Sequence, residues 1–204
     1  MTRVLHEIEG FDLLPFIDDL SDNSELALLR ATNKVAAKGR TKMDRRIRQQ
    51  IAFPASYLRP SGGRLKVTQR ATRRNLQAVI TGRDRATSLA RFTKQKVLPP
   101  GQRPKGGAIN VTVKPGKRQS IKRAFLIALN NGNKGLAVRT DGRKPENAYK
   151  PKRLGKNLWL LYGPSVDQAL ISVTKNDGVM IELSPEIVAD LEEEYLRQLE
   201  LLGV

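Results

Sequence analysis

Hydrophobic and polar positions follow a helical period over one long stretch near the start of the chain. Small or apolar residues recur three and four positions apart there, while arginines and lysines occupy the other face. The repeating positions are Leu28, Thr32, Val35, Ala36, Gly39, Met43, Ile47 and Ile51. Asp22 with Glu25 three residues later is typical of a helix start, and Pro54 ends the pattern. We therefore predict a long helix up to about Gln50.

The middle of the chain changes to short strand-like runs separated by turns. Alternation is cleanest at 108–113, where Ile109, Val111 and Val113 face one way. Two further runs, 125–129 and 135–139, flank the turn sequence NNGNK and predict a hairpin. Shorter runs that also predict strands are 76–81, 89–92 and 158–162. Two Pro-, Gly- and Lys-rich segments, 93–107 and 141–156, are predicted to be projecting loops.

The last part of the chain predicts a closing helix. Ser184 and Pro185 suit the N-cap and first turn of a helix, and apolar residues then recur on one face to Leu202. Residues 165–183 stay open between a hairpin and a helical turn. The fold class predicted is α+β, with long N-terminal and C-terminal helices packed on an antiparallel sheet that carries long basic loops. Residues 23–204 are predicted to form a single domain.

Residues 1–22 are predicted to form an acidic, amphipathic arm outside that domain. Pro15 interrupts any helix there, and the segment is too short to build a core of its own. An arm of this kind could bury its apolar side chains only against something else. The residues expected to reach across a subunit boundary are Leu13, Leu14, Phe16, Ile17, Asp18 and Asp19.

Composition adds a strong charge imbalance to this picture. The 204 residues hold 37 Lys and Arg against 20 Asp and Glu, a formal charge of +17. Residues 1–28 and 182–204 each carry −6, so residues 29–181 carry +29. The acidic ends could pair with the basic body of the same chain, or they could join copies head to tail and leave basic faces for a polyanion. Both interpretations remain open on the sequence.

Candidate chemistry is sparse. The chain has no Cys, its single His6 lies in the acidic arm, and no acidic spacing matches a metal motif or a nucleotide loop. No nucleophile with a base and an orienting partner can be assembled. We expect no catalytic residue, no metal and no cofactor. No apolar run approaches the roughly 18 residues of a membrane helix, and the acidic start is unlike a secretory signal. We therefore expect no membrane partner.

Basic clusters are the remaining candidates for a functional site. Lysines and arginines on the two predicted loops could lie against phosphates without reading bases, or they could form a solvated surface that docks on acidic neighbours. Few aromatic residues accompany them, which disfavours recognition of single strands. The candidate residues are Lys94, Lys96, Arg103, Lys105, Arg143, Lys144, Lys150, Lys152 and Arg153.

The order of several strings resembles the prophage minor tail protein Z family, the tail-completion proteins of long-tailed bacteriophages. The most specific strings are FLIALNNGNKGLAVR at 125–139 and LYGPSV at 161–166. LRATNKVA at 29–36, the basic helix up to Pro54, and the strand 108–113 after a basic loop follow the same order. Together the strings cover about two-thirds of the chain. The arm and the 141–156 loop lie outside the pattern.

The resemblance implies a structural virion protein without catalytic residues. Such a minor tail protein sits at the head-proximal end of the tail, after synthesis in the host cytoplasm. It is expected to form a homo-oligomeric ring that contacts other tail proteins and the head–tail connector. Double-stranded DNA in the lumen is a further expected partner. The rivals are a non-specific nucleic-acid-binding protein, ribosome-associated or engaged in DNA packaging, and an enzyme carried on a tail.

Overall fold

A computed structural model of the chain describes residues 22–99, 102, 107–145, 150–171 and 179–204. Three α-helices are described, and they are α1 (Asp22–Gln50), α2 (Val166–Ile171) and α3 (Val179–Leu202). The strands described are β1 (Leu65–Gln69), β2 (Val79–Gly82), β3 (Thr87–Ser88), β4 (Ala108–Lys114), β5 (Lys117–Lys122), β6 (Ala124–Ala128), β7 (Lys134–Arg139), β8 (Lys150–Gly155) and β9 (Leu158–Gly163). Long helices at both ends with antiparallel sheets between them confirm the predicted α+β class.

The described residues group into two compact units. The first, which we call the helical unit, contains Asp22–Ile47, Leu58–Asp84 and the described part of Asp167–Val204. The second, the sheet unit, contains the described parts of Arg48–Tyr57 and Arg85–Val166. Each unit has its own buried side chains. The single domain expected at 23–204 remains a prediction. Residues 1–21 of the predicted arm lie outside the described residues, and its last residue, Asp22, begins α1.

The helical unit combines α1, the antiparallel pair β1–β2 and α3. Leu65 pairs with Gly82 and Val67 with Ile80 across the two strands. Gly39 of α1 is buried where a Cβ atom would lie 3.6 Å from Ile187 and 3.9 Å from Ile80. The side chains of α1, β2 and α3 therefore meet around this small residue, which lets the helix pack closely.

Helix α3 begins earlier than the Ser184–Pro185 start that the sequence predicts. Val179, Leu183 and Ile187 lie four residues apart and are all nearly fully buried, whereas Ile181 is 58% exposed. This four-residue period overrides the apparent alternation of Val179, Ile181 and Leu183. Pro185 consequently lies inside the helix, and Ser184 donates a hydrogen bond from its hydroxyl to the Met180 carbonyl.

The sheet unit is built on a five-stranded antiparallel sheet. Four strands follow the order β3-β9-β7-β6, and β8 also pairs with β9. The predicted hairpin is present as β6–β7, in which Leu126 lies opposite Leu136. Strands β4 and β5 form a separate two-stranded sheet that buries Ile109 and Val111. The unit's core also includes Phe53, which stacks on Tyr57 with ring centroids 5.2 Å apart.

Two segments of the sheet unit differ from their predicted state. Residues 150–155, predicted as part of a loop, form β8, because main-chain pairing to β9 holds a strand whose side chains are mostly exposed. No apolar alternation is needed for such a strand, so the sequence carries no signal for it. Residues Leu89–Phe92, predicted as a strand, form a 3₁₀ turn after β3, capped by the Ser88 hydroxyl, which accepts from the Ala90 amide.

Candidate polyanion-binding surface

Four basic residues of α1 are paired with carboxylates within the helical unit. Lysines and an arginine one turn apart on α1 oppose carboxylates one turn apart on α3, so the two antiparallel helices form a ladder of ion pairs. The pairs are Lys34–Glu194 at 2.7 Å, Lys38–Asp190 at 2.7 Å, Lys42–Asp190 at 2.6 Å, Lys42–Glu186 at 3.3 Å and Arg46–Glu186 at 3.3 Å. For the C-terminal acidic segment, pairing with the basic body of the same chain is therefore observed.

Two carboxyl groups of this ladder, those of Glu194 and Asp190, have lowered pKa values. A hydrogen bond from Arg197 is the main cause that lowers the pKa of Glu194 from 4.5 to about 2, and one from Lys34 adds to it against the opposing effect of burial. Burial raises the pKa of Asp190, but hydrogen bonds from Lys38 and Lys42 outweigh it, and the net pKa is lowered. The same contact with Asp190 raises the pKa of Lys42. Both carboxylates thus stay ionised at neutral pH and hold the α1 lysines.

Arg40 of α1 serves the fold. Its side chain is 9% exposed, and its guanidinium donates to the carbonyl oxygens of Leu58 and Leu65, the latter at 3.2 Å. Asp44 lies 3.7 Å away on the next turn and balances the buried charge. This arginine therefore ties α1 to the segment that leads into β1.

The sheet unit carries the chain's excess positive charge. The sequence segments that build it hold twenty Lys and Arg against two acidic residues, Asp141 and Glu146, a formal charge of +18. The rest of the chain holds seventeen Lys and Arg against eighteen Asp and Glu, a charge of −1. Among the described Lys and Arg residues between 85 and 166, none has a described carboxylate within 4.0 Å. The described residues therefore supply no carboxylate partner for these cations, although some of them, such as Arg139 and Arg153, lie over aromatic rings.

The first predicted basic loop is only partly described. Lys94 and Lys96 are exposed and lie in irregular structure after the 3₁₀ turn. The segment is attached to β4, because the amide of Asn110 donates to the Gln95 side chain at 2.9 Å. Arg103 and Lys105 lie outside the described residues, as do residues 1–21 of the predicted arm, including Leu13, Leu14, Phe16, Ile17, Asp18 and Asp19.

The basic residues of the second predicted loop lie at two separate sites, one of which is β8. Lys150 and Lys152 alternate with Arg153 along β8, so the two lysines share one face of the strand and the arginine lies on the other. The Arg153 guanidinium stands over the Trp159 ring and donates to the carbonyls of Gly155 and Lys156 at 3.2 Å. Arg153 therefore braces the β8–β9 turn, whereas Lys150 and Lys152 remain exposed.

Arg143 and Lys144 line an open groove, which we call the basic groove. It has a volume of about 760 Å³ and is lined by Ile121, Lys122, Arg123, Val138, Arg139, Thr140, Asp141, Arg143, Lys144 and Pro145. Three of its five cations, Lys122, Arg123 and Arg139, were not among the predicted site residues. Lys122 ends β5, Arg123 follows it and Arg139 ends β7, so all three lie outside the two predicted basic loops.

The described residues offer little for metal or membrane chemistry. In this part of the chain, no group of three His, Asp or Glu side chains is arranged to hold a metal ion. Of the described helices, none is both long and apolar enough to cross a bilayer. Comparison with family models, curated proteins and solved structures yielded no match to this chain.

Proposed function

We propose that the chain is a structural, non-catalytic subunit at the head-proximal end of a bacteriophage tail. In this role it joins the tail to the head connector as part of a homo-oligomeric ring, and it adjoins the path of the DNA. The resemblance to the minor tail protein Z family supports the role. Its two most specific strings correspond to the β6–β7 hairpin and to the end of β9 leading into α2.

The division of charge carries the proposal. A subunit that adjoins packaged DNA needs cations on one surface, and it also needs a fold that does not depend on them. The segments of the sheet unit hold a formal charge of +18, and the described Lys and Arg residues between 85 and 166 have no described carboxylate within 4.0 Å, while the α1 lysines are held by α3. Electrostatic contact of this kind is independent of base sequence. This suits a tail protein, because the DNA that passes it can have any sequence.

The test is a nonsense mutation in the gene of the phage that encodes the chain. We expect filled heads and complete tails to accumulate separately, and we expect joined particles to return when the protein is supplied from a plasmid. A gold label on a tag added after Val204, which is 60% exposed, should mark the head-proximal end of the tail. Infectious, joined particles without the protein would overturn the proposal.

The second candidate function is non-specific nucleic-acid binding outside a virion, as in a ribosome-associated or packaging protein. The basic groove favours it, since the groove needs no tail to hold phosphates. Purified particles distinguish the two functions. The tail role requires several copies per particle, whereas a packaging or ribosomal protein is expected in the lysate and absent from purified virions.

A further inference from the structure

We propose that the basic groove binds the phosphodiester backbone of double-stranded nucleic acid. The inference deepens the proposed function. It rests on that function only for the source of the duplex, which would be the DNA that passes through the tail. Its physical basis lies entirely in the sheet unit, where the described lining residues include five exposed cations and one carboxylate around an open concavity. Charges of one sign lining a cleft focus their potential outward and attract an anion.

The cations converge from separate parts of the chain. Lys122 ends β5, Arg123 follows it, and Arg139 ends β7, while Arg143 and Lys144 come from the segment after β7. Pairing of Ala124 with Val138 holds the β6–β7 end of the groove together. The half-buried Ile121 and the buried Val138 also line the groove, so a bound anion would lie against low-dielectric material.

The segment after β7 is fixed rather than loosely attached. The Thr140 hydroxyl donates to the Arg143 carbonyl at 2.7 Å and accepts from the Trp159 indole at 3.1 Å. The Thr140 amide also donates to the Asn157 carbonyl at 3.0 Å. These bonds orient the backbone that carries Arg143, so less ordering is required when an anion binds.

Arg123 has a backbone conformation that residues other than glycine rarely adopt. Its φ is +57°, in the left-handed region, and it is the one non-glycine residue with positive φ among those described. Its amide donates to the Gly107 carbonyl at 2.9 Å, which holds the turn between β5 and β6. Glycine would suit this position better. Arg123 therefore presents its charge from a left-handed backbone position beside the other groove cations.

The lining of the groove favours a duplex over a single strand. Among the described residues that line it, none has an aromatic side chain on which an unpaired base could stack. The nearby Phe125 ring is covered by the Arg139 guanidinium, 5.7 Å from its centroid. Cations without stacking platforms bind the backbone and leave base sequence unread.

The test measures binding of a fluorescent 20-base-pair duplex of arbitrary sequence to the full chain at several salt concentrations. Replacing Arg143 and Lys144 by glutamine should weaken binding about tenfold and reduce the log–log salt slope by about 2. The matched control replaces Lys117 and Arg118 by glutamine. These residues are exposed and lie at the opposite end of β5, so the same loss of charge should change affinity less than threefold.

Arg123→Gly separates a binding role from a structural one. It removes one cation and relieves the left-handed backbone, so we expect weaker duplex binding, about threefold, with an unfolding midpoint that is unchanged or higher. A lower midpoint with normal binding would make Arg123 a structural residue and contradict its assignment to the site.

Three results would overturn the proposal as a whole. The first is an equal loss of affinity in the groove variant and its control, which would mean that binding depends only on the net charge of the chain. The second is tighter binding of single-stranded DNA than of the duplex. The third is displacement of the duplex by a synthetic peptide of residues 1–22, which would make the acidic arm the occupant. A normal phage without the gene would instead overturn the tail role and leave the groove result standing.

Discussion

The α1 lysines of the helical unit and the groove lysines of the sheet unit have opposite surroundings. Lys38 and Lys42 each lie within 2.7 Å of Asp190, whereas Lys122 and Lys144 have no described carboxylate within 4.0 Å. The acidic residues that surround α1 come from its own chain, on α3. One basic surface is therefore paired within the fold, whereas for the other the described residues supply no carboxylate partner. A count of basic residues along the sequence does not distinguish the two.

The largest expected effect concerns the packing of the helical unit. Gly39→Glu would bury a carboxylate against Ile187 and Ile80, which cannot pair with it. We expect a loss of about 4 kcal/mol or more in the free energy of unfolding, enough to leave the protein unfolded or aggregated. The matched control is Ala37→Glu, an exposed position on the same helix that should remain folded. Circular dichroism and denaturant titration compare the two variants. Equal losses in the free energy of unfolding would show that the wrong face of α1 has been assigned to the core.

Deletion of residues 1–20 is expected to abolish assembly while preserving the fold. The deletion leaves Asp22 and the whole of α1 intact. If the acidic arm docks on the sheet unit of another copy, the truncated chain should be monomeric by sedimentation and should fail to complete tails. We expect the acidic charges of the arm to speed association and to fix its register on the neighbouring copy. Replacing Asp18, Asp19 and Asp22 by lysine should therefore slow assembly, and the effect should depend on salt concentration. If the truncated protein is unfolded, the arm must instead belong to the core of its own subunit.

Exchange of charges between α1 and α3 tests the ladder. Asp190→Lys places three lysines together and should lower the free energy of unfolding by about 2 kcal/mol. Combining it with Lys38→Glu should recover about 1 kcal/mol of that loss. A double-mutant cycle by denaturant titration measures the coupling between the two residues. Zero coupling energy would mean that the pair contributes nothing to stability.

Acid should destabilise the helical unit through Glu194. Its pKa is lowered from 4.5 to about 2 in the folded protein, so its contribution is complete above pH 4.5 and disappears as the pH falls towards 2. We expect a loss of about 1–2 kcal/mol over that interval, after allowing for solvent screening of the partly exposed pair. Glu194→Gln should unfold with a smaller dependence on pH there. An unchanged pH profile in the variant would contradict this assignment.

Much of the fold follows from local patterns in the sequence. Helix α1 and the β6–β7 hairpin carry a clear period and turn residues, and both are present. The start of α3 could not be read correctly, because Val179, Ile181 and Leu183 alternate as in a strand, and only burial shows that Val179 and Leu183 follow the helical period while Ile181 is exposed. Strand β8 has no side-chain signal, since its main chain is held by β9.

The candidate site is harder to predict than the fold. Arg143 and Lys144 were identified by composition, but Lys122, Arg123 and Arg139 join them only through strand pairing that brings the ends of β5 and β7 together. Composition also grouped Lys150 and Lys152 with Arg153, although alternation along β8 separates them. Sequence therefore locates excess charge, and tertiary structure determines which charges act together.

Lysine labelling with and without DNA tests the central claim most directly. The full chain is treated briefly with an amine-reactive reagent, and mass spectrometry gives the rate at each lysine. We predict that Lys122 and Lys144 react fast and become protected by duplex DNA. Lys38 and Lys42, held by Asp190, should react slowly and be unaffected by the duplex. Protection of Lys38 and Lys42 by DNA, with Lys122 and Lys144 unchanged, would contradict the division of charge between the two units.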